Sequence, residues 1–182
     1  MSRAIHSFHD PDRFVSGTIG QPGQRAFYLQ VREGNRIVSV GLEKEQVQVL
    51  AEHLERIMDE LEKLLDDATV VVAPHVDVAD DLEPLDQPLD EEFRVGSMAL
   101  AWDSGRGKIA IELFSIDDEG EESGDSVDLR LTTAEARQFV ARSRALVESG
   151  RPACPFCLQP INPDGHICPR ANGYRRPLFA RD

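Results

Sequence analysis

The chain has 182 residues, of which 41% are hydrophobic, and a formal net charge of −13 at pH 7. This composition can supply the core of one moderate domain or of two small ones, but so negative a charge disfavours general affinity for nucleic acid, because phosphate binding requires Lys and Arg. The apolar runs are far shorter than the roughly 18 to 20 residues that span a bilayer, so membrane insertion is not expected.

Residues 1–65 are predicted to form a first unit of three strands and one helix. Apolar and polar residues alternate in three short segments, and from about Glu43 the apolar spacing becomes helical. The predicted strands are Phe14–Ile19, Ala26–Arg32 and Asn35–Gly41. The predicted apolar stripe of the helix consists of Val47, Leu50, Leu54, Ile57, Leu61 and Leu64.

Residues 66–92 are predicted to be an acidic linker. They contain ten acidic residues, no Lys or Arg, and three prolines. Within them Thr69–Val76 is apolar enough to add an edge strand, which Pro74 would restrict to the rim of a sheet. The rest is expected to be solvated, and mimicry of nucleic acid or cation binding is the alternative.

Residues 93–149 are predicted to repeat the first unit. The expected strands are Arg94–Trp102, Lys108–Ser115 and Ser126–Leu131. A helix follows, which Thr132 or Thr133 can cap with Glu135 in its first turn. Its predicted apolar stripe consists of Ala136, Phe139, Val140, Leu146 and Val147.

The two units match in more than their order of elements. Both open with Phe-x-x-Gly, and the second is ten residues longer up to its helix, about the length of the acidic run Asp117–Asp125. We therefore predict an α+β fold of two pseudosymmetric repeats, each a three-stranded antiparallel meander followed by a helix, plus a small C-terminal zinc-binding segment. The alternative is ordinary α+β patterning without duplication.

Residues 150–182 contain a candidate metal site formed by Cys154, Cys157, His166 and Cys168. A tight turn in CPFC can present both sulfurs to one ion, and residues two apart in an extended HIC segment face the same side. Four protein ligands leave no position for water, which predicts structural zinc; iron, CxxC redox chemistry and free thiols are the alternatives. Since three cysteines make no disulfide framework and MSRAIHSFHDPDRF lacks the apolar core of a signal peptide, we expect a cytoplasmic protein.

The segment 150–182 is also basic. It carries five arginines against two aspartates, a net charge of +3, so the preceding 149 residues carry −16. The tail either packs on the acidic body or reaches an anionic partner, for which a basic aromatic patch could stack a base or bind a phosphate. The candidate ligand-binding residues are Arg170, Asn172, Tyr174, Arg175 and Arg176.

The N-terminal histidines and a Gly-rich segment are two further candidates for binding sites. His6 and His9 could bind a second metal with Asp10 or Asp12, although a pair of exposed histidines is the favoured interpretation. The Gly-rich segment 104–107 is interpreted as a hairpin turn, since it lacks the Lys and Ser or Thr of a phosphate-binding loop.

The run CPFCLQPINPDGHICPRANGYRR and the segment FRVGSMALAWD resemble an uncharacterised actinobacterial family, a domain of unknown function with a C-terminal CPxC...GHxCPRxNGY motif. The resemblance covers nearly the whole chain. It implies that Cys154, Cys157, His166 and Cys168 are metal ligands and that the following Arg, Asn, Gly and Tyr belong to the motif. It also implies a gene system with a phosphoinositide-kinase-like protein and a phosphoglycerate-mutase-like phosphatase, so that a kinase-like partner is one possibility.

Three functional hypotheses follow. The leading one is a zinc-stabilised accessory or adaptor protein that binds a protein partner, with the metal in a structural role. The second is binding of nucleic acid or a nucleotide through the arginine-rich segment. The third is a phosphoryl-transfer or hydrolytic enzyme with a site between the repeats, which is less favoured because no nucleophile elbow, Rossmann fingerprint or kinase signature occurs.

Overall fold

Six of the strands and both helices form where alternating and helical spacing predict them, with shifts at their ends, whereas the short strand Ile5–Phe8 was not predicted. The computed structural model describes residues 3–64, 71–117, 120, 122–161 and 165–170. These residues contain seven strands and two helices in a mixed α+β fold. In chain order the elements are β1 (Ile5–Phe8), β2 (Arg13–Ile19), β3 (Ala26–Glu33), β4 (Arg36–Leu42), α1 (Lys44–Leu64), β5 (Glu91–Asp103), β6 (Lys108–Ile116), β7 (Glu122–Leu131) and α2 (Thr133–Glu148).

The seven strands of the described residues form one sheet in the order β1-β7-β6-β5-β4-β3-β2. Strands β2 to β4 are one antiparallel meander and β5 to β7 are another. The meanders join through parallel pairing of β4 with β5, for which α1 supplies the crossover, and β1 pairs in parallel with β7. The predicted order of three strands and a helix thus occurs twice, while pseudosymmetry and duplication stay predictions.

The sheet is strongly curled, as the short connection between its two edges requires. Strands β1 and β2 lie at opposite edges, yet only residues 9–12 connect them. Seven flat strands would separate the edges by roughly 29 Å, whereas the chain from Phe8 to Arg13 spans at most about 18 Å. Asp12 N–H accordingly donates to Arg32 O at 2.8 Å, and Arg36 Nη2 to Ser7 O at 3.1 Å.

Both helices contribute to the apolar core. The rings of Phe14 on β2 and Phe139 on α2 stack with their centroids 4.6 Å apart. In α1 the buried residues are Val47, Leu50, Ala51, Leu54, Met58 and Leu61. The predicted stripe differs at its edge and its end, since Ile57 is only partly buried and Leu64 is 78% exposed.

The predicted cap of the second helix is confirmed. Thr132 Oγ1 accepts a hydrogen bond from Glu135 N–H at 3.2 Å, and Glu135 Oε2 accepts one from Thr132 N–H at 2.7 Å. This reciprocal arrangement is a capping box, so it is Thr132 rather than Thr133 that precedes the helix. The segment 104–107 is a turn between β5 and β6, as predicted.

Residues 71–90, here called the strap, lie against the body of the protein. The predicted edge strand does not form in residues 71–76, because the backbone groups of Ala73 bond to side chains of α2: its N–H donates to Thr133 Oγ1 at 3.0 Å and its carbonyl accepts from Arg137 Nε at 3.1 Å. Further along, Leu85 is only 6% exposed and packs on Gly17, where a Cβ would lie 2.5 Å from Leu85 Cγ. The strap is therefore more than a solvated linker.

Among the described residues, neither α1 nor α2 is long and apolar enough to cross a membrane.

Candidate metal centre

A tight hairpin at residues 152–161 positions the first two candidate ligands. Ala153 pairs with Pro160 in an antiparallel bridge, and Ile161 N–H donates to Pro152 O at 2.8 Å. Leu158 N–H donates to Cys154 O at 2.8 Å, which closes the turn that contains Cys157. Backbone hydrogen bonds thus hold both sulfurs on one side of the hairpin.

The predicted ligands converge. One ligand atom each from Cys154, Cys157, His166 and Cys168 lies within 4.8 Å of all the others. The sulfurs of Cys154 and Cys168 are 3.8 Å apart, and Cys157 Sγ lies 3.2 Å from His166 Nε2. Tetrahedral coordination with Zn–S bonds of about 2.3 Å separates two sulfurs by roughly 3.8 Å, so the group could hold a metal ion.

The thiols influence each other's ionisation. Burial acts to raise the pKa of Cys154, but hydrogen bonds from the backbone N–H groups of Cys157 and Phe156 outweigh it and hold the pKa below its usual value. The backbone N–H of Gln159 acts to lower the pKa of Cys157, yet burial and the neighbouring thiols outweigh it and raise the pKa. Ionisation of the first sulfur therefore opposes that of the second, and a bound cation would remove this opposition.

Arg170 is the one predicted ligand-binding residue within the described part of the chain. Its Nη1 donates to Phe156 O at 2.9 Å, which ties the end of the segment to the CPFC turn. Residues 152–161 and 165–170 together are called the knuckle below. Asn172, Tyr174, Arg175 and Arg176 lie outside the described residues.

The two N-terminal histidines do not gather with the aspartates considered with them. His6 Nε2 lies 3.3 Å from Glu92 Oε1, while His9 N–H donates to Glu33 Oε1 at 3.0 Å. Asp10 pairs with Lys108, and Asp12 accepts from Gly34 N–H at 2.5 Å. Within the ranges that the structure describes, these residues form no second group of metal ligands.

A cavity of about 500 Å³ lies where β2, the strap and the N-terminal end of α2 meet. We call it the seam cavity. Its walls are mainly apolar, and its described lining includes four carboxylates and three arginines but no histidine. The carboxylates are those of Asp12, Asp80, Asp81 and Glu135, and the arginines are Arg13, Arg137 and Arg142.

The arginines of the seam cavity fasten the strap. Arg13 binds both carboxylate oxygens of Asp81, at 2.5 and 3.1 Å, and this hydrogen bonding holds the pKa of Asp81 below its usual range. Arg142 donates to Asp81 O at 2.6 Å and to Glu83 O at 2.7 Å. Arg137 bonds to Glu62 at 2.8 Å as well as to the strap. Local sequence patterns do not indicate these contacts, because residues far apart in the chain form them.

These features define a class of protein, an α+β sheet protein with a C-terminal Cys3His candidate metal site. The chain belongs to the family described as a protein of unknown function, DUF3090, whose sequence profile matches residues 6–168. This match includes all four candidate ligands and ends at Cys168. No curated protein and no solved structure shows a significant match to the chain.

Proposed function

We propose that this protein is a zinc-stabilised accessory or adaptor protein that binds a protein partner. The observation that carries the proposal is the convergence of four ligand atoms within 4.8 Å. Zinc is proposed because it favours thiolate and imidazole ligands in tetrahedral geometry, and iron is the second choice. Free thiols of this kind persist in the reducing cytoplasm, where we place the protein.

The metal role is structural. When four side chains occupy a tetrahedral ion, no position is left for the water that zinc hydrolases activate. The knuckle also follows the C-terminal end of α2, whereas the seam cavity lies beside the N-terminal end of the same helix. The described lining of the seam cavity contains none of the four candidate metal ligands, so the metal group and the seam cavity are not parts of one active site.

An adaptor role is supported by the contrast in charge between the two parts of the chain. The acidic body carries −16 and the segment 150–182 carries +3. A metal site orders a short segment that has no apolar core of its own, and thereby presents its exposed side chains to another molecule. A kinase-like protein is the first partner to test.

We also propose that the two units arose by duplication. Besides sharing the order of elements, both units pack the glycine of their Phe-x-x-Gly start closely against a side chain, from the strap in the first unit and from β6 in the second. A Cβ at Gly17 would lie 2.5 Å from Leu85 Cγ, and one at Gly96 would lie 1.9 Å from Ile116 Cγ2. Each position therefore needs a residue without a side chain.

Metal content tests the structural site. Protein purified without chelator should contain one zinc ion per chain by mass spectrometry, and His166→Gln should lose most of it. His53→Gln is the matched control, since His53 is an exposed residue of α1. Absence of zinc and iron from the wild type, or equal metal content in the two variants, contradicts the proposed site.

Reconstitution tests the partner. The zinc-loaded protein should retain a protein from cell extract in stoichiometric amount, and the two purified components should form the same complex. A tight small-molecule or RNA ligand without any stoichiometric protein contradicts the adaptor role. Binding of RNA that falls steeply with salt and is lost on replacing Arg175 and Arg176 would instead support the nucleic-acid hypothesis.

A further inference from the structure

The knuckle exposes three large apolar side chains on a very small structure. Phe156 is 60% exposed, Leu158 76% and Ile167 84%. These three residues are called the tip. They flank the metal ligands directly, so the same coordination that orders the knuckle also holds the tip in place. Three large exposed apolar residues in so short a segment favour a site of interaction.

Leu158 is held at the tip against its own backbone preference. Among the described residues, Leu158 is the only non-glycine residue with a positive φ, and its φ of 62° lies in the left-handed region. Glycine adopts this conformation without strain, whereas a leucine there is uncommon. The hydrogen bonds of the hairpin hold this conformation, since Leu158 N–H donates to Cys154 O and Cys154 N–H donates to Gln159 O, both at 2.8 Å, and they leave the side chain 76% exposed.

The seam cavity has the complementary properties. Phe14, Val76, Ala79 and Phe139 contribute apolar walls, and the exposed charged residues that line it are Asp12 and Asp80. Its arginines are buried or half-buried and already bind carboxylates or carbonyls. An apolar group carrying positive charge beside it therefore suits this cavity, and the tip has the exposed Arg170 beside it.

The tip does not occupy the cavity of its own chain. The described lining of the cavity extends along α2 as far as Arg142 but includes no residue of the knuckle. Arg25 Nη1 donates to Ser149 Oγ at 3.2 Å, which holds the start of the knuckle segment beside the turn between β2 and β3.

We propose that the tip of one copy of this chain docks in the seam cavity of a second copy. The contact is head to tail, since each copy uses a different surface from its partner, and it can build a ring or a longer series of copies. The inference goes beyond the proposed adaptor role but rests on the proposed metal site, which orders the tip.

Sedimentation of the zinc-loaded full chain over a concentration series tests the docking. Leu158→Gly removes the apolar side chain and relieves the backbone, so it should fold and bind zinc normally while raising the dissociation constant at least about tenfold. Ile167→Ser should act in the same direction, with Ile37→Ser on the body as its matched control. Ala134→Trp should block the cavity mouth, and Ala145→Trp, an exposed position of the same helix outside the cavity, should not.

Mixing the variants is the decisive measurement. The tip variant Leu158→Gly keeps an intact cavity and Ala134→Trp keeps an intact tip, so each alone should be monomeric and their mixture should form a dimer that grows no further. A wild type that is monomeric at every concentration with zinc bound overturns the docking, as does association that neither variant weakens.

Two further measurements separate the explanations. Zinc content, determined on each sample, distinguishes failure of the proposed metal site from failure of the proposed docking. Self-association that needs Leu158 but occurs without bound metal would support the docking and contradict the metal site. Binding of the wild type to vesicles of phosphatidylserine and phosphatidylcholine through Leu158, with no self-association, would assign the tip to a lipid surface and overturn the proposal.

Discussion

The body and the knuckle are stabilised in different ways. In the body, strands and helices share a core in which residues such as Ile111 and Leu129 are fully buried. In the described residues of the knuckle, the buried side chains are Cys154 and Cys168, while Phe156, Leu158 and Ile167 are exposed. Burial of apolar surface therefore stabilises the body, whereas the proposed stabilisation of the knuckle is a metal ion bound by its cysteines.

Removing the metal site should have the largest effect, and on the knuckle alone. In Cys157→Ser, or in the wild type with chelator, the amide protons of Cys154, Leu158 and Ile161 should lose their protection from hydrogen exchange. Structural zinc contributes on the order of 10 kcal/mol to such a segment, more than a few backbone hydrogen bonds can replace. The thermal midpoint of the body should not change. Retained protection in the knuckle, or unfolding of the body, would contradict the separate stabilisation of the two regions.

A substitution that creates a cavity in the core should destabilise the body and leave the knuckle unchanged. Leu129 is completely buried in β7, so Leu129→Ala should lower the free energy of unfolding of the body by about 3 kcal/mol. Leu82→Ala, at a position that is 66% exposed, is the control and should have little effect. Denaturant titration measures both values. The zinc affinity of the folded protein should be the same in both variants, and a weaker affinity in Leu129→Ala would show that the two regions are coupled.

Loss of the helix cap should be a smaller change within the body. Thr132→Ala removes the side-chain acceptor of the capping box and should lower the free energy of unfolding by about 1 kcal/mol. Thr133→Ala tests whether the other threonine serves as the cap, although its Oγ1 also accepts from Ala73 N–H. If Thr132→Ala leaves the free energy of unfolding unchanged, the cap does not contribute to stability.

The strap should give the smallest effect, and one that depends on pH. The folded state lowers the pKa of Asp81 from its usual 3.8, mainly through its hydrogen bond with Arg13, so the carboxylate stabilises the fold above that value. This stabilisation, about 1 kcal/mol or less because the pair is partly solvated, is lost as the pH falls through the lowered pKa. The difference in unfolding free energy between wild type and Asp81→Asn should therefore be full at neutral pH and vanish in acid. A difference that does not vary with pH would assign the role of Asp81 to something other than its charge.

Local patterns predicted most of the elements and the metal ligands. Alternation located six of the seven strands in the described residues, and a capping box located α2, because each signal lies within a few consecutive residues. The four ligands were predictable for the same reason, since they span only residues 154–168. The strand missed was β1, whose four residues are too short for a clear pattern.

Contacts between distant residues could not be predicted in this way. The parallel pairing of β4 with β5, the curl of the sheet and the attachment of the strap each depend on where remote segments meet. Leu85 against Gly17 is one example, and Arg142 against Asp81 is another. The exposed tip was also missed, because the apolar letters in CPFCL and HIC do not reveal whether a core covers them.

The pairing of β1 with β7 has a consequence for synthesis on the ribosome. Ile5 pairs with Ser126, so the two paired strands are separated by most of the sequence. The first meander can form soon after its own residues emerge, since its pairings are local, but β1 must wait for a partner strand that is translated much later. β1 thus pairs only after β7 has been made, and until then it is an unpaired strand that other chains can reach.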